Sequence, residues 1–110
     1  MLKILPRCDL QVIKPQTVLA ILVASSIYEH HNQDCEIYSV VDGVHGPNSK
    51  HPEGFAFDIR IKHLDGNDKD ISAEDMRIAR MIAAELREAL GPQYDVVVES
   101  NHIHVEYDPK

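Results

Sequence analysis

Between Ala56 and Lys62 the chain alternates without a break, with Phe57, Ile59 and Ile61 on one side and Asp58 and Arg60 on the other. A period of two belongs to an extended strand, and a strand apolar on one side only belongs in a sheet with one covered face. The stretch His102 to Tyr107 has the same period and puts His102 and His104 on a common face. Two more strands are expected. One runs from Cys35 to Val41, dense in Ile37, Tyr38, Val40 and Val41, and the other from Tyr94 to Glu99.

Two helices supply the cover. Pro15, followed by Thr17, starts one that runs to about His31; it is apolar on most sides and expected to be buried. Ser72 with Asp75 starts the other, Ile78, Ile82, Leu86 and Leu90 form its apolar stripe, and Gly91-Pro92 stops it. Its acidic residues Glu74, Asp75, Glu85 and Glu88 are assigned to the solvent face. Residues 1 to about 14 read as an irregular or extended lead-in. Asp42-Gly43, Gly46-Pro47-Asn48-Ser49 and Asp65-Gly66-Asn67-Asp68 read as turns and loops. The expectation is an α+β fold, an antiparallel sheet with helices packed on one face, in one domain over residues 1–110.

A formal charge of −7 argues against phosphate backbones and anionic membranes as partners, because both reward clustered Lys and Arg. Cys8 and Cys35 form no CxxC pattern and are expected to stay as thiols or to make one optional bridge. The longest apolar stretch, Val18 to Val23 and on to Tyr28, is broken by Ser25 and Ser26 and is too short to span a bilayer. Pro6, Arg7, Asp9 and Lys14 precede it, which does not suit a signal peptide, so the chain is expected in the cytoplasm as synthesised.

The segments Ser49 to Asp58 and Glu99 to His104 concentrate imidazole and carboxylate, the ligand types of hydrolytic zinc sites. Gly54 lets the chain turn between His51 and Asp58, so a loop ligand and a strand ligand can converge, and His102 or His104 would supply a third. Ser49 lacks the adjacent base and nucleophile elbow of a triad serine. The run from Asp65 to Asp70 is not a calcium loop, since it lacks the sixth-position Gly and has Met76 where the bidentate Glu belongs. His30 and His31 suit a helix C-terminus, and His63 needs no functional role.

The pattern Ser49-x-His51-x-x-Gly54-x-Ala56-x-Asp58, followed by His102-x-His104, resembles the zinc-binding signature of the D-Ala-D-Ala carboxypeptidases and related peptidoglycan metallopeptidases. That fold is shared by the signalling domain of Hedgehog proteins. The resemblance covers about residues 37–107 and includes His45 and Glu99. It implies one Zn2+ held by His51, Asp58 and His104, with His102 beside the metal. Some relatives instead place the catalytic Glu three residues before the ligand His, the relation of Glu99 to His102, so both histidines stay open for the third position. The resemblance further implies Glu99 as the base, His102 and His45 as hydrogen-bond donors to the oxyanion, and Ser49 near the bound peptide.

The implied activity is zinc-dependent hydrolysis of peptide bonds in peptidoglycan stem peptides, of carboxypeptidase or endopeptidase type; the bare architecture suits a phage-encoded lysis or virion enzyme, or one exported by another route. Many carboxypeptidases of this group carry an Arg before the His motif to engage the substrate. This chain reads Ser39-Val40-Val41-Asp42-Gly43-Val44 there, and Arg60 either substitutes or pairs with a neighbouring acid. A non-catalytic zinc-binding interaction module like the Hedgehog domain is the alternative, in which the metal orders a surface for a protein partner.

Overall fold

The computed structural model describes residues 1–5, 8, 14–40, 56–62, 64, 66 and 70–109. Their elements are β1 (Leu2–Ile4), α1 (Pro15–His30), β2 (Cys35–Val40), β3 (Ala56–Arg60), α2 (Ala73–Leu90), β4 (Tyr94–Val98) and β5 (His102–Tyr107). The fold is α+β, with the strands in one mixed sheet of order β1-β2-β3-β5-β4. Pairs β2–β3, β3–β5 and β5–β4 are antiparallel, as the alternation led one to expect.

The β1 edge corrects that expectation, because Leu2–Ile4 pairs parallel with Cys35–Ile37. The physical reason is the crossover: α1 lies between β1 and β2, and a helical crossover returns the chain in the same direction. Lys3 fastens this edge through an ion pair to Asp34 at 3.0 Å.

One face of the sheet is the core. Ile37, Phe57, Ile59, Val96, Ile103 and Val105 are buried there with Ala20, Ile21, Ala24 and Tyr28 of α1 and Ala79, Ile82, Ala83 and Leu86 of α2. The register shifts between Ile37 and Ser39, so Ile37 pairs with Ile59 while Val40 pairs with Phe57. A bulge there resets the parity of β2, which buries both Ile37 and Val40 and sends the intervening Tyr38 to the opposite face, where its ring meets His102.

Pro15 occupies the first turn of α1, and Lys14 caps the helix without a side-chain hydrogen bond. Asn32, with φ of 58°, turns the chain after its C-terminus, a conformation Asn tolerates better than most residues. The burial expected for this helix holds for one side only, because Leu19 and Leu22 remain 57% and 56% exposed. α2 begins with the expected Ser72 cap: the Asp75 N–H donates to the Ser72 hydroxyl and the Ser72 N–H donates to the Asp75 carboxylate. That reciprocal box takes Asp75 off the solvent face, where Glu74, Glu85 and Glu88 remain. Gly91, with φ of 84°, ends the helix. Near that end Arg87 donates from Nε and Nη2 to the Val96 carbonyl of β4, at 3.0 and 2.9 Å.

Cys8 and Cys35 make no disulfide. The Cys8 thiol donates to the Ile37 carbonyl, and burial pushes the Cys35 thiol up to about 12. Among the described residues no helix is long and apolar enough to cross a membrane.

Candidate metal centre

The alternation that buries Phe57 and Ile59 turns Asp58 and Arg60 to the face without helices, and on β5 it turns His102, His104 and Glu106 the same way. The register then decides who meets whom. Asp58 lies directly opposite His104, and Arg60 opposite His102. Directly opposed residues have Cβ atoms about 5 Å apart, close enough for a carboxylate and an imidazole to share one ion.

The side chains use that proximity. His104 presents Nδ1 to Asp58 Oδ1 at 2.8 Å, and His102 presents Nε2 to the same oxygen at 3.5 Å. Ligand atoms of Asp58, His102 and His104 all lie within 4.8 Å of one another, so the three could hold a metal ion. All three side chains are largely shielded, with relative exposures of 17%, 21% and 25%.

The donor set passes a chemical test of fit. Two imidazoles and a carboxylate are the ligand types of an open zinc site. Each imidazole is also steered from behind: His102 Nδ1–H donates to Asn101 Oδ1 at 2.6 Å, and His104 Nε2–H donates to Glu106 Oε1 at 3.0 Å. An oxygen on the far nitrogen fixes the tautomer and leaves the near nitrogen for a metal, a usual arrangement around ligating histidines. Without a metal, His104 faces oxygen acceptors on both sides. The Asp58 carboxylate first, and Glu106 after it, raise its pKa to about 9 against the opposing pull of partial burial.

Glu99 follows β4, and its N–H donates to the His102 carbonyl at 2.8 Å. Its carboxylate is exposed and lines a cleft of about 660 Å³ with His104, Glu106, Asp95 and Val97, along the outer edge of β4. Asp95, Glu106 and Asp108 also bring carboxylate oxygens together, and acidic groups of that kind are common without an ion.

Of the residues singled out in the sequence, the structure brings together Asp58, His102 and His104 and places Glu99 in the cleft beside them. His45, Ser49 and His51 lie outside the described residues. Glu106 and Asn101 were not foreseen. The parity that pairs His102 with His104 extends to Glu106 and is the signal that finds it, whereas Asn101 acts from its position next to His102. No protein-family model, curated protein or solved structure matches this chain.

Proposed function

We propose that the chain is a zinc-dependent hydrolase of peptide bonds in peptidoglycan stem peptides, with the fold of the D-Ala-D-Ala carboxypeptidases. The observation that carries this reading is the convergence of Asp58, His102 and His104 with Asn101 and Glu106 behind the imidazoles. A zinc ion bound there would act as a Lewis acid toward the scissile carbonyl and make water a stronger acid.

The chain's own groups supply the rest. His51 and Asp58 belong to the ligand set in either form of the site that the resemblance implies. The third position falls to His104, which leaves His102 to donate to the oxyanion, or to His102 itself. Glu99, exposed and opening into the cleft, takes the proton of the attacking water and returns it to the leaving amine. His45 and Ser49 keep the roles the resemblance implies, oxyanion donor and peptide contact.

The test is digestion of purified muropeptides by zinc-loaded protein, read by mass spectrometry, with a chelated sample and Glu99→Ala alongside. Products that disappear in both controls are expected, with Glu99→Ala still holding zinc, and their masses separate loss of a terminal D-Ala from cleavage within the stem or cross-link. Turnover retained by Glu99→Ala would reject it as the base. Tight zinc without any product would reject the enzyme in favour of an interaction module.

A further inference from the structure

The outer side of α1 is an apolar surface turned to solvent. At 3.6 residues per turn Val18, Leu19, Leu22, Ser25, Ser26 and Glu29 all lie within about 60° of Leu22 around the helix axis. Val18, Leu19 and Leu22 keep 41%, 57% and 56% of their surface exposed. Glu29 is the one formally charged residue of the helix, in a chain that is 26% charged. The cores of protein interfaces are depleted of charge in the same way.

The order of sizes along this face indicates what covers it. The large side chains Val18, Leu19 and Leu22 precede the small Ser25 and Ser26. Rotating a second copy about a two-fold axis through Leu22 sets Val18 opposite Ser26 and Leu19 opposite Ser25. Each large side chain then meets a small one, the alternation by which facing helices interdigitate. A parallel pair would set large on large and small on small, and would leave a gap over the serines.

The end charges point the same way. Lys14 caps the positive end of the helix dipole and Glu29 stands in the last turn, at the negative end, so each charge sits where the dipole disfavours it. Both residues are exposed, and among the described residues neither side chain makes an ion pair. The same rotation brings Lys14 of one copy beside Glu29 of the other, and each positive helix end beside a negative one. Both unfavourable placements become favourable.

The position of the helix permits the contact. α1 packs over the covered face of the sheet, while Asp58, His102 and His104 gather on the opposite face. A copy seated on α1 touches none of them, and a pair presents its two metal clusters on its outer sides.

We propose that α1 is a self-association surface, on which a second copy of this chain packs its own α1 antiparallel about a two-fold axis at Leu22. The contact is isologous, so it closes at two copies. A helix of 16 residues is about 24 Å long and about 10 Å across, which covers less than the roughly 800 Å² per partner of a standard interface. The pair is therefore weak, with a dissociation constant of about 10 μM to about 1 mM.

The test is sedimentation of the full chain at neutral pH from about 10 μM to about 2 mM, in reductant to keep Cys8 from cross-linking copies. The weight-average sedimentation coefficient should rise with concentration. Leu22→Glu puts two carboxylates against each other on the axis and should weaken association at least about tenfold, with little change in denaturation midpoint because the position is exposed. Lys14→Glu and Glu29→Lys should each weaken it several-fold, and the two together should restore it to within about twofold of the wild type. A parallel pair or a contact elsewhere on the molecule would not produce that recovery.

A chain that stays monomeric throughout would overturn the pairing and leave the α1 face to a different partner. A dimer that persists in Leu22→Glu would move the contact elsewhere and overturn it as well. If Leu22→Glu does not fold, the charge reversals decide alone: recovery in the double variant supports the antiparallel pair, and its absence rejects it.

Discussion

The two faces of the sheet are made by the same strands and differ in almost everything else. On the helix-covered face β3 and β5 contribute Phe57, Ile59, Ile103 and Val105, each at most 1% exposed. On the other face the same strands contribute Asp58, Arg60, His102 and His104, all partly exposed. Burial of the first set fixes the register, because a slip of one residue would turn every side chain over. The second set inherits that register, so the pairing of Asp58 with His104 is a by-product of packing Ile59 against Ile103. An apolar face can thus position a polar site without any residue in common with it.

This division can be broken from either side. The largest effect should come from the covered face: Ile59→Ala leaves a cavity in a fully buried position and should cost about 2–5 kcal/mol by chemical denaturation. Metal affinity should fall in that variant only as far as the protein unfolds. From the open face, Glu106→Gln should lower zinc affinity about 10–100-fold in a competition titration, because it weakens the acceptor behind His104. Unchanged affinity would remove Glu106 from the centre. A smaller effect is expected from the cover itself, where Ser72→Ala removes the cap of α2 and should cost about 1 kcal/mol while zinc affinity stays constant.

The last prediction concerns pH in the metal-free chain. His104 has its pKa raised to about 9, so its contribution to stability is complete below the ordinary imidazole value and is lost as pH rises through about 9. Denaturation midpoints should therefore drift downward across that window, and the drift should be absent in Asp58→Asn if Asp58 is the main cause. A drift that persists in Asp58→Asn would transfer the main role to Glu106.

Much of this arrangement was legible in the sequence because two features are periodic. The alternation in Ala56–Arg60 and His102–Tyr107 specifies which side chains share a face, and the Ser72–Asp75 box specifies where α2 begins. Periodicity does not specify partners. β1 has only three residues and no pattern of its own, and its parallel pairing depends on where α1 delivers the chain. The sidedness of α1 was equally hidden, because Val18, Leu19 and Leu22 on its exposed side are as apolar as Ala20, Ile21 and Ala24 on its buried side. The bulge at Tyr38 was invisible for a related reason: it shows only when Ile37 and Val40 are both required to bury against a neighbouring strand. At the site, the residue types were readable, while Asn101 and Glu106 became meaningful only once their atoms were seen behind the two imidazoles.

The hold of Arg87 on the Val96 carbonyl has a consequence for how these molecules meet one another. β4 is an outer strand, and an outer strand offers its unpaired backbone groups to any other extended chain. Two guanidinium nitrogens already occupy the middle carbonyl of β4, and they reach it from the adjoining helix. A second copy adding itself to this margin would have to displace a charged donor before it could form a ladder. The last turn of α2 thus stands guard against self-association along the side that borders the metal cluster.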